Sequence, residues 1–195
     1  MMWVGSLYIT GNIQTYAESY YKVSATAVSI LLPTIYALNA VFVFVLGKYT
    51  QRNVQPKLLI ACGAVCGLGL WLAAIQTKSF LAFYLCYTFS FGLTTGFCYL
   101  ITFHHTWLWF PNNKGLTSGI CMGGYGVGAL IFDNIMTPIM NPDNQNFVDP
   151  CFDGANYGCY PVDVDANFQK MMYVLFGVWL LLALIGIICI FQGPL

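Results

Sequence analysis

Formal charge is what this sequence has least of. Asp, Glu, Lys and Arg make up 7% of its 195 residues, where a soluble domain carries about 25%. So few charges cannot coat a water-facing surface, and 58% of the residues are hydrophobic. Lipid is therefore the expected solvent for much of the chain. The seven basic and seven acidic side chains cancel, which removes nucleic acid from the expected partners. No Ser/His/Asp or Cys/His arrangement stands out, and no carboxylate pair faces a common cleft, so an enzyme is not expected. There is no Cys-x-x-Cys pair, and six of the eight cysteines lie in apolar runs, where they act as small hydrophobes. Neither a metal nor any other cofactor is expected. Gly-Gly-Tyr-Gly-Val-Gly at 123–128 lacks the dinucleotide-binding spacing, since Ile131 stands where the last Gly belongs, and no strand precedes it.

What is present are long uncharged runs. Met1 to Ala17, Val23 to Gly47, Leu58 to Thr77, Ser79 to Asn113, Gly115 to Phe132 and Met171 to Leu195 hold no Asp, Glu, Lys or Arg. A membrane-crossing helix needs roughly 20 apolar residues. All but the first run are near or above that length. None shows the polar stripe of a soluble amphipathic helix. The expectation is an all-α, polytopic membrane protein, a six-transmembrane-helix bundle forming one membrane domain over 1–195. Its spans are placed at about 1–19, 24–47, 58–77, 80–106, 115–139 and 170–191. The first run has no basic signal-peptide start and reads as a retained, rather polar helix.

With six crossings, both termini share one side with Lys48, Arg52, Lys57 and Lys114. The other side receives Lys22, Lys78 and Lys170 with Glu18, Asp143, Asp149, Asp153, Asp163 and Asp165. Counting Lys and Arg only, the bias places the termini on the cytoplasmic or matrix side. The membrane itself is left open between the plasma membrane and an organelle, the mitochondrial inner membrane included. A polar, acidic loop over 141–169 is the one sizeable extramembrane element. Cys151 and Cys159 flank turn residues within it, so they are either a disulfide, if that face is oxidising, or two free thiols.

Small residues recur at spacings of four: Gly63/Gly67, Gly92/Gly96, Gly115/Gly119/Gly123 and Gly124/Gly128. Missing side chains let membrane helices approach closely, so Gly92, Gly96, Gly115, Gly119, Gly123 and Gly128 are expected to pack against neighbours, in static or sliding contacts. His104 and His105 point about 100° apart on a helix and, beside Trp107 and Trp109, read as interfacial anchors. Glu18 and Asp133 lie near span ends, where water reaches them, and read first as structural. A proton-carrying role for either remains a default candidate. The polar groups within spans need partners. Asn12, Gln14, Tyr16, Tyr36, Asn39, Thr94, Thr95 and Tyr99 either bond to other helices or line a wet cavity, with Pro33 and the glycines permitting bends around it.

Three stretches carry a family resemblance. The first is Gly11-Asn12-Ile13 with Thr15-Tyr16 and Ser19-Tyr20. The second is Gly47 to Lys57. The third runs from Gly92-Leu93-Thr94-Thr95-Gly96 through Trp109-Phe110-Pro111 and Lys114-Gly115-Leu116-Thr117-Ser118-Gly119 to the glycines at 123–128. Together they resemble the amino-terminal half of a major facilitator superfamily transporter, in its oxalate/formate antiporter and monocarboxylate transporter-like branch. In the signature loop Gly47, Arg52 and Lys57 match, whereas Gln51 replaces the usual Asp, and Val54 and Gln55 replace the usual Gly and basic residue. The fourth span lacks the Arg of many proton-coupled members. The resemblance implies two six-helix halves with substrate held between them, of which this chain supplies one.

Two functions follow as expectations. In one, the chain transports a small, monocarboxylate-like organic anion together with a second half, either a copy of itself or a complementary chain. Asn12, Tyr16, Tyr36, Asn39 and Tyr99 then line the pathway. In the other, the half-bundle no longer transports and serves as an accessory subunit of a larger membrane complex, such as a respiratory-chain assembly. No Lys or Arg lies deep in a span, so the chain alone offers no cation to an anionic substrate.

Overall fold

A computed structural model describes residues 2–50, 56–152 and 155–189. Among the described residues there is no strand beyond one isolated bridge, Val148 to Cys159. Helix α1 is assembled from an α turn Met2–Gly5, a 3-10 stretch Ser6–Ile9 and an α-helix Thr10–Tyr21. It stops at Lys22, which takes a left-handed φ of 54° while its N–H bonds the Glu18 carbonyl. Helix α2 comprises Ala25–Ser29 and Leu31–Thr50. Pro33 explains the interruption, because it has no N–H to offer the Ser29 carbonyl. The ladder resumes with Thr34 N–H on the Ile30 carbonyl at 3.1 Å.

Helix α3, Pro56–Gln76, begins with a proline at its first position, where the missing N–H costs nothing. Helix α4 runs Phe80–Trp109, about 45 Å at 1.5 Å per residue. It ends where Pro111 forces Phe110 out of helical geometry. After a 3-10 turn, Pro111–Asn113, helix α5 covers Lys114–Met140, and helix α6 covers Val162–Cys189.

Five of these helices are long and apolar enough to cross a membrane: Ala25–Gly47, Lys57–Gln76, Phe80–Trp109, Pro111–Met140 and Val162–Cys189. This is an all-α, polytopic membrane architecture. The span expected over 1–19 is not among the five. It is helical, but Thr10, Asn12, Gln14, Thr15, Glu18 and Ser19 make it too polar. The last helix also begins earlier than the expected residue 170. Asp163 and Asp165 sit in its first turn, where they complement the helix dipole. Charges there mark the edge of the hydrocarbon, not the edge of the helix, so the loop outside the helices is shorter than 141–169.

Helix α4 is the hub. Half of its span is buried, against 17% for α2 and for α5. The core is an aromatic cluster around Trp71 of α3 and Trp179 of α6, each 1% exposed, with ring centroids 4.2 Å apart. Tyr87 and Phe91 of α4 and Phe132 of α5 complete it. Buried polar groups inside find partners across helices, as hydrocarbon requires. Thr10 and Tyr87 hydroxyls meet at 2.9 Å, Trp71 Nε1 donates to the Met172 carbonyl at 3.1 Å, and Ser90 Oγ donates to the Gly67 carbonyl at 2.6 Å. The outer surface is apolar, with Phe44, Val65, Leu81, Leu116, Leu130 and Ile188 each at least 66% exposed. That surface suits lipid.

Glycine sets two of the closest approaches. A Cβ on Gly67 would strike Thr94 of α4, and the same absence lets Ser90 reach the Gly67 carbonyl. A Cβ on Gly92 would lie 2.7 Å from Leu38 Cβ of α2, and one on Gly96 would overlap Phe42. In contrast, a Cβ on Gly115, Gly119 or Gly123 meets nothing within 4 Å. Among the described residues these three have no neighbour at that distance to pack against, whereas Gly128 is buried. The stripe faces away from the bundle because α4 is already filled by α2 and α3. We expect Gly67→Val and Gly96→Val each to cost about 1–3 kcal/mol through overpacking, lowering the unfolding temperature in mild detergent. Gly119→Val and Gly123→Val should leave it nearly unchanged. Equal losses in both pairs would refute this assignment of contacts.

Candidate functional site

Tyr8, Tyr36, Tyr99 and Tyr125, from four helices, are near neighbours. Tyr8 stands on the 3-10 stretch of α1 and is 52% exposed. Its ring meets Tyr125 of α5 edge to face at 5.5 Å. Tyr36 of α2 is 40% exposed. Tyr99 of α4, with Tyr8 and Tyr36, is close enough to act electrostatically on the Tyr125 hydroxyl. Tyr99 also opens the cluster into a cleft of about 730 Å³ between α2, α4 and α5. Val43, Phe44, Leu100 and Phe103 make its walls apolar, and His104, Trp107 and Ser118 supply polar atoms. Trp107 Nε1 donates to Ser118 Oγ at 2.9 Å. Tilted ring contacts Tyr99–Phe103 at 5.0 Å and Phe103–Trp107 at 6.1 Å make one aromatic rail along α4.

Of the pathway residues expected from sequence, Tyr36 and Tyr99 belong to this cluster. Asn12 lies one turn beyond Tyr8 on the same face of α1, and its Nδ2 donates to Asp133 Oδ1 of α5. Asn39 is half-buried, and its Oδ1 has no protein partner. Tyr16 is placed elsewhere: it is 7% exposed and stacks on Tyr160 of the loop at 4.8 Å. Thr95 bonds back to the Phe91 carbonyl within its own helix. Tyr8, Tyr125 and His104 were not singled out as lining a pathway. Tyr8 was legible as the i−4 neighbour of Asn12, and Tyr125 as the one side chain with a polar tip in a run of glycines. Gly47 lines the cleft, Lys57 is exposed at the start of α3, and Arg52 lies outside the described residues.

At the other end of α1 the loop is fastened down. Cys151 and Cys159 form a disulfide with Cα atoms 5.1 Å apart. Backbone bonds join Val148 to Cys159 in both directions, and Cys151 N–H to the Tyr157 carbonyl. This hairpin presents two donors to α1. Gly158 N–H bonds Glu18 Oε1 at 2.7 Å, and Tyr160 N–H bonds Ser19 Oγ at 2.8 Å. Ser19 in turn donates to Asp165 of α6 at 2.6 Å. Glu18 is 4% exposed, so the structural role expected of it is the one its surroundings describe.

Comparison with known proteins adds a direction. The chain is 34% identical over 96 residues to an uncharacterised MFS-type transporter of Escherichia coli (strain K12), covering 49% of the chain and 24% of that transporter. It is 30% identical over 98 residues to apicoplast pyruvate carrier 1 of Toxoplasma gondii, covering 50% of the chain and 18% of the carrier. It is 30% identical over 94 residues to the oxalate:formate antiporter of Oxalobacter formigenes, covering 48% and 22%. The matched segment thus spans less than a quarter of each relative. No family model and no solved structure gives a significant match. The resemblance is to major-facilitator-type transporters over about half of this chain.

The clamp yields a direct expectation. Ser19→Ala removes one bond to the loop and one to α6, at a cost of about 1–3 kcal/mol for the groups left unpaired. Limited proteolysis within 141–161 should accelerate in that variant, and again when the disulfide is reduced. Unchanged cleavage rates in both would mean the loop is held by other contacts.

Proposed function

We propose that the chain is one six-helix half of a major-facilitator-type transporter, moving a small, monocarboxylate-like organic anion together with a second half. The observation that carries this reading is the grouping of Tyr8, Tyr36, Tyr99 and Tyr125, with Tyr99 lining an apolar cleft between α2, α4 and α5. An organic anion leaving water needs donors for its oxygens and apolar walls for its carbon skeleton. Phenol hydroxyls are donors that carry no charge of their own. The names of the relatives, a pyruvate carrier and an oxalate:formate antiporter, point to the same substrate class.

In this reading α1 is the sixth crossing. Its polar face looks into the pathway and is spared contact with lipid, which is why its hydropathy is low. The second half seats against α2 and α5, the two helices this chain covers least. The open stripe of Gly115, Gly119 and Gly123 gives a facing helix room for close approach. The cation that offsets the charge of the anion comes from that second half, and the two halves rock about the site. The membrane is a plasma or organellar one, with the termini on the cytoplasmic or matrix side.

Reconstitution into liposomes, alone and with a complementary six-helix half, tests this with labelled pyruvate, formate and oxalate. We expect saturable uptake. Tyr36→Phe, Tyr99→Phe and Tyr125→Phe should each raise the half-saturation concentration about tenfold, the loss of one hydrogen bond to a charged group. No flux with any half, and a purified particle far above twice 21.7 kDa that contains unrelated proteins, would instead identify an accessory subunit.

A further inference from the structure

The loop between α5 and α6 is held differently along its length. At its start, the Asn141 amide donates to the Gln145 carbonyl and its Oδ1 accepts the Gln145 N–H, both at 2.8 Å. At its end, the Tyr160 ring stacks on Tyr16 and meets Phe147 at 5.0 Å. Between them, the hairpin that runs from Val148 to Cys159 buries little. Val148 is 52% and Phe152 58% exposed, so apolar burial does not fix it in place. Its shape rests on the Cys151–Cys159 bond and on backbone bonds among Val148, Cys151, Phe152, Ala155, Tyr157 and Cys159. A single hairpin with backbone bonds alone is marginal in water. The crosslink is what makes this one firm.

Gly158 stands within the ring that the disulfide closes. It is buried, and a Cβ there would overlap the Phe147 ring. Its N–H donates to Glu18 Oε1 at 2.7 Å. Glu18, 4% exposed, also ends α1: its carbonyl accepts the N–H of Lys22 and, at 3.3 Å, that of Val23. One residue thus joins the hairpin to the helix stop. A carboxylate buried that far is costly once its donor leaves. Its side chain then turns to water, and the last turn of α1 loosens with it.

The sulfurs can be reached. Cys151 and Cys159 are half-buried, not sealed, and lie outside the five apolar spans. The other six cysteines are free and belong to those spans. A reductant arriving from water therefore meets this pair first, and accessible disulfides are the ones that exchange with thiols.

We propose that Cys151–Cys159 is a reversible thiol–disulfide modification site that controls how firmly the adjoining end of α1 is held, with a dithiol as its co-reactant. A thiolate of the dithiol attacks one sulfur, and the other leaves and takes up a proton. The second thiol of the dithiol then resolves the mixed disulfide. Two electrons and two protons pass to Cys151 and Cys159. Their S–S bond breaks, one forms in the reagent, and the protein gains two S–H bonds. The opened hairpin withdraws Gly158 from Glu18. A small disulfide reverses each step. None of this depends on whether the chain carries an anion.

Amide hydrogen exchange on the full chain in lipid nanodiscs, with and without reduced thioredoxin, tests this, while alkylation reports which cysteines are free. Thioredoxin should make Cys151 and Cys159 alkylatable. Exchange should rise about tenfold in the hairpin and over 18–23, the loss of one hydrogen bond to a charged group, and stay unchanged over 57–76 of α3. Oxidised glutathione should restore the slow rates. Cys151→Ser combined with Cys159→Ser should exchange fast from the start and ignore thioredoxin. In Glu18→Ala the hairpin should still respond, whereas 18–23 should not. A pair that stays oxidised in reduced thioredoxin would overturn the site. Faster exchange confined to the hairpin would overturn its hold on α1. Faster exchange throughout α3 and α4 as well would make the bond a general brace and overturn local control. Rates that oxidised glutathione does not restore would overturn reversibility.

Discussion

Hydrocarbon offers no hydrogen bond, and the rest of this structure follows from that. The backbone must satisfy itself, so the described chain is helix wherever it is long and apolar. Side chains with polar tips are then sorted by what they can reach. Ser90 finds the Gly67 carbonyl, Trp71 the Met172 carbonyl, and Thr10 the Tyr87 hydroxyl. These bonds tie α3, α4, α6 and α1 into one body. Other polar side chains stand where they are more exposed, Tyr8 and Tyr36 among them, and Tyr99 lines a cleft. A cleft of that kind is wasteful in a lipid-facing surface, since each phenol there would otherwise need a partner that lipid cannot supply.

Much of this was legible before any coordinates, and the illegible part has a single cause. Gaps between charges located the apolar helices, because an ion in hydrocarbon is too costly to misplace. The polar loop and its two cysteines stood out by composition alone. Direction was another matter. In a soluble helix, the polar stripe tells which face looks outward. Here Leu116, facing out, and Phe132, facing in, are equally apolar, so no stripe exists to be read. That is why Gly115, Gly119 and Gly123 were expected against neighbours they do not touch. It is also why Tyr16 could not be distinguished from Tyr36. Both are tyrosines inside helices, yet one is sealed under Tyr160 and the other is 40% exposed. The early start of α6 was hidden for a related reason: Asp163 and Asp165 advertise water, and water is compatible with a helix end.

The two ends of α1 are held to different degrees. Near Tyr21 it is fastened by Glu18 and Ser19 to a disulfide-closed hairpin and to Asp165. Further back, it meets α5 through the Asn12 amide and the Asp133 carboxylate, and then through the Tyr8 and Tyr125 rings. At Gly5 the absence of a side chain brings it onto the Tyr125 backbone.

The tyrosine cluster and the cleft beside Tyr99 offer hydrogen-bonding groups that carry no charge of their own. Phenols and amides set the positions of acceptors without selecting strongly for charge. A site that bound an anion with these groups alone would have to meet its full desolvation cost by hydrogen bonds. Adding a lysine to this chain would solve that and create a second difficulty, because the half-bundle would then bury an unpaired cation whenever the substrate was absent. The proposed division of the task would avoid both, with neutral donors on this chain shaping the site and a cation on a second half supplying the charge. Asp133 fits the same logic, since the group that meets its carboxylate is the neutral Asn12 amide.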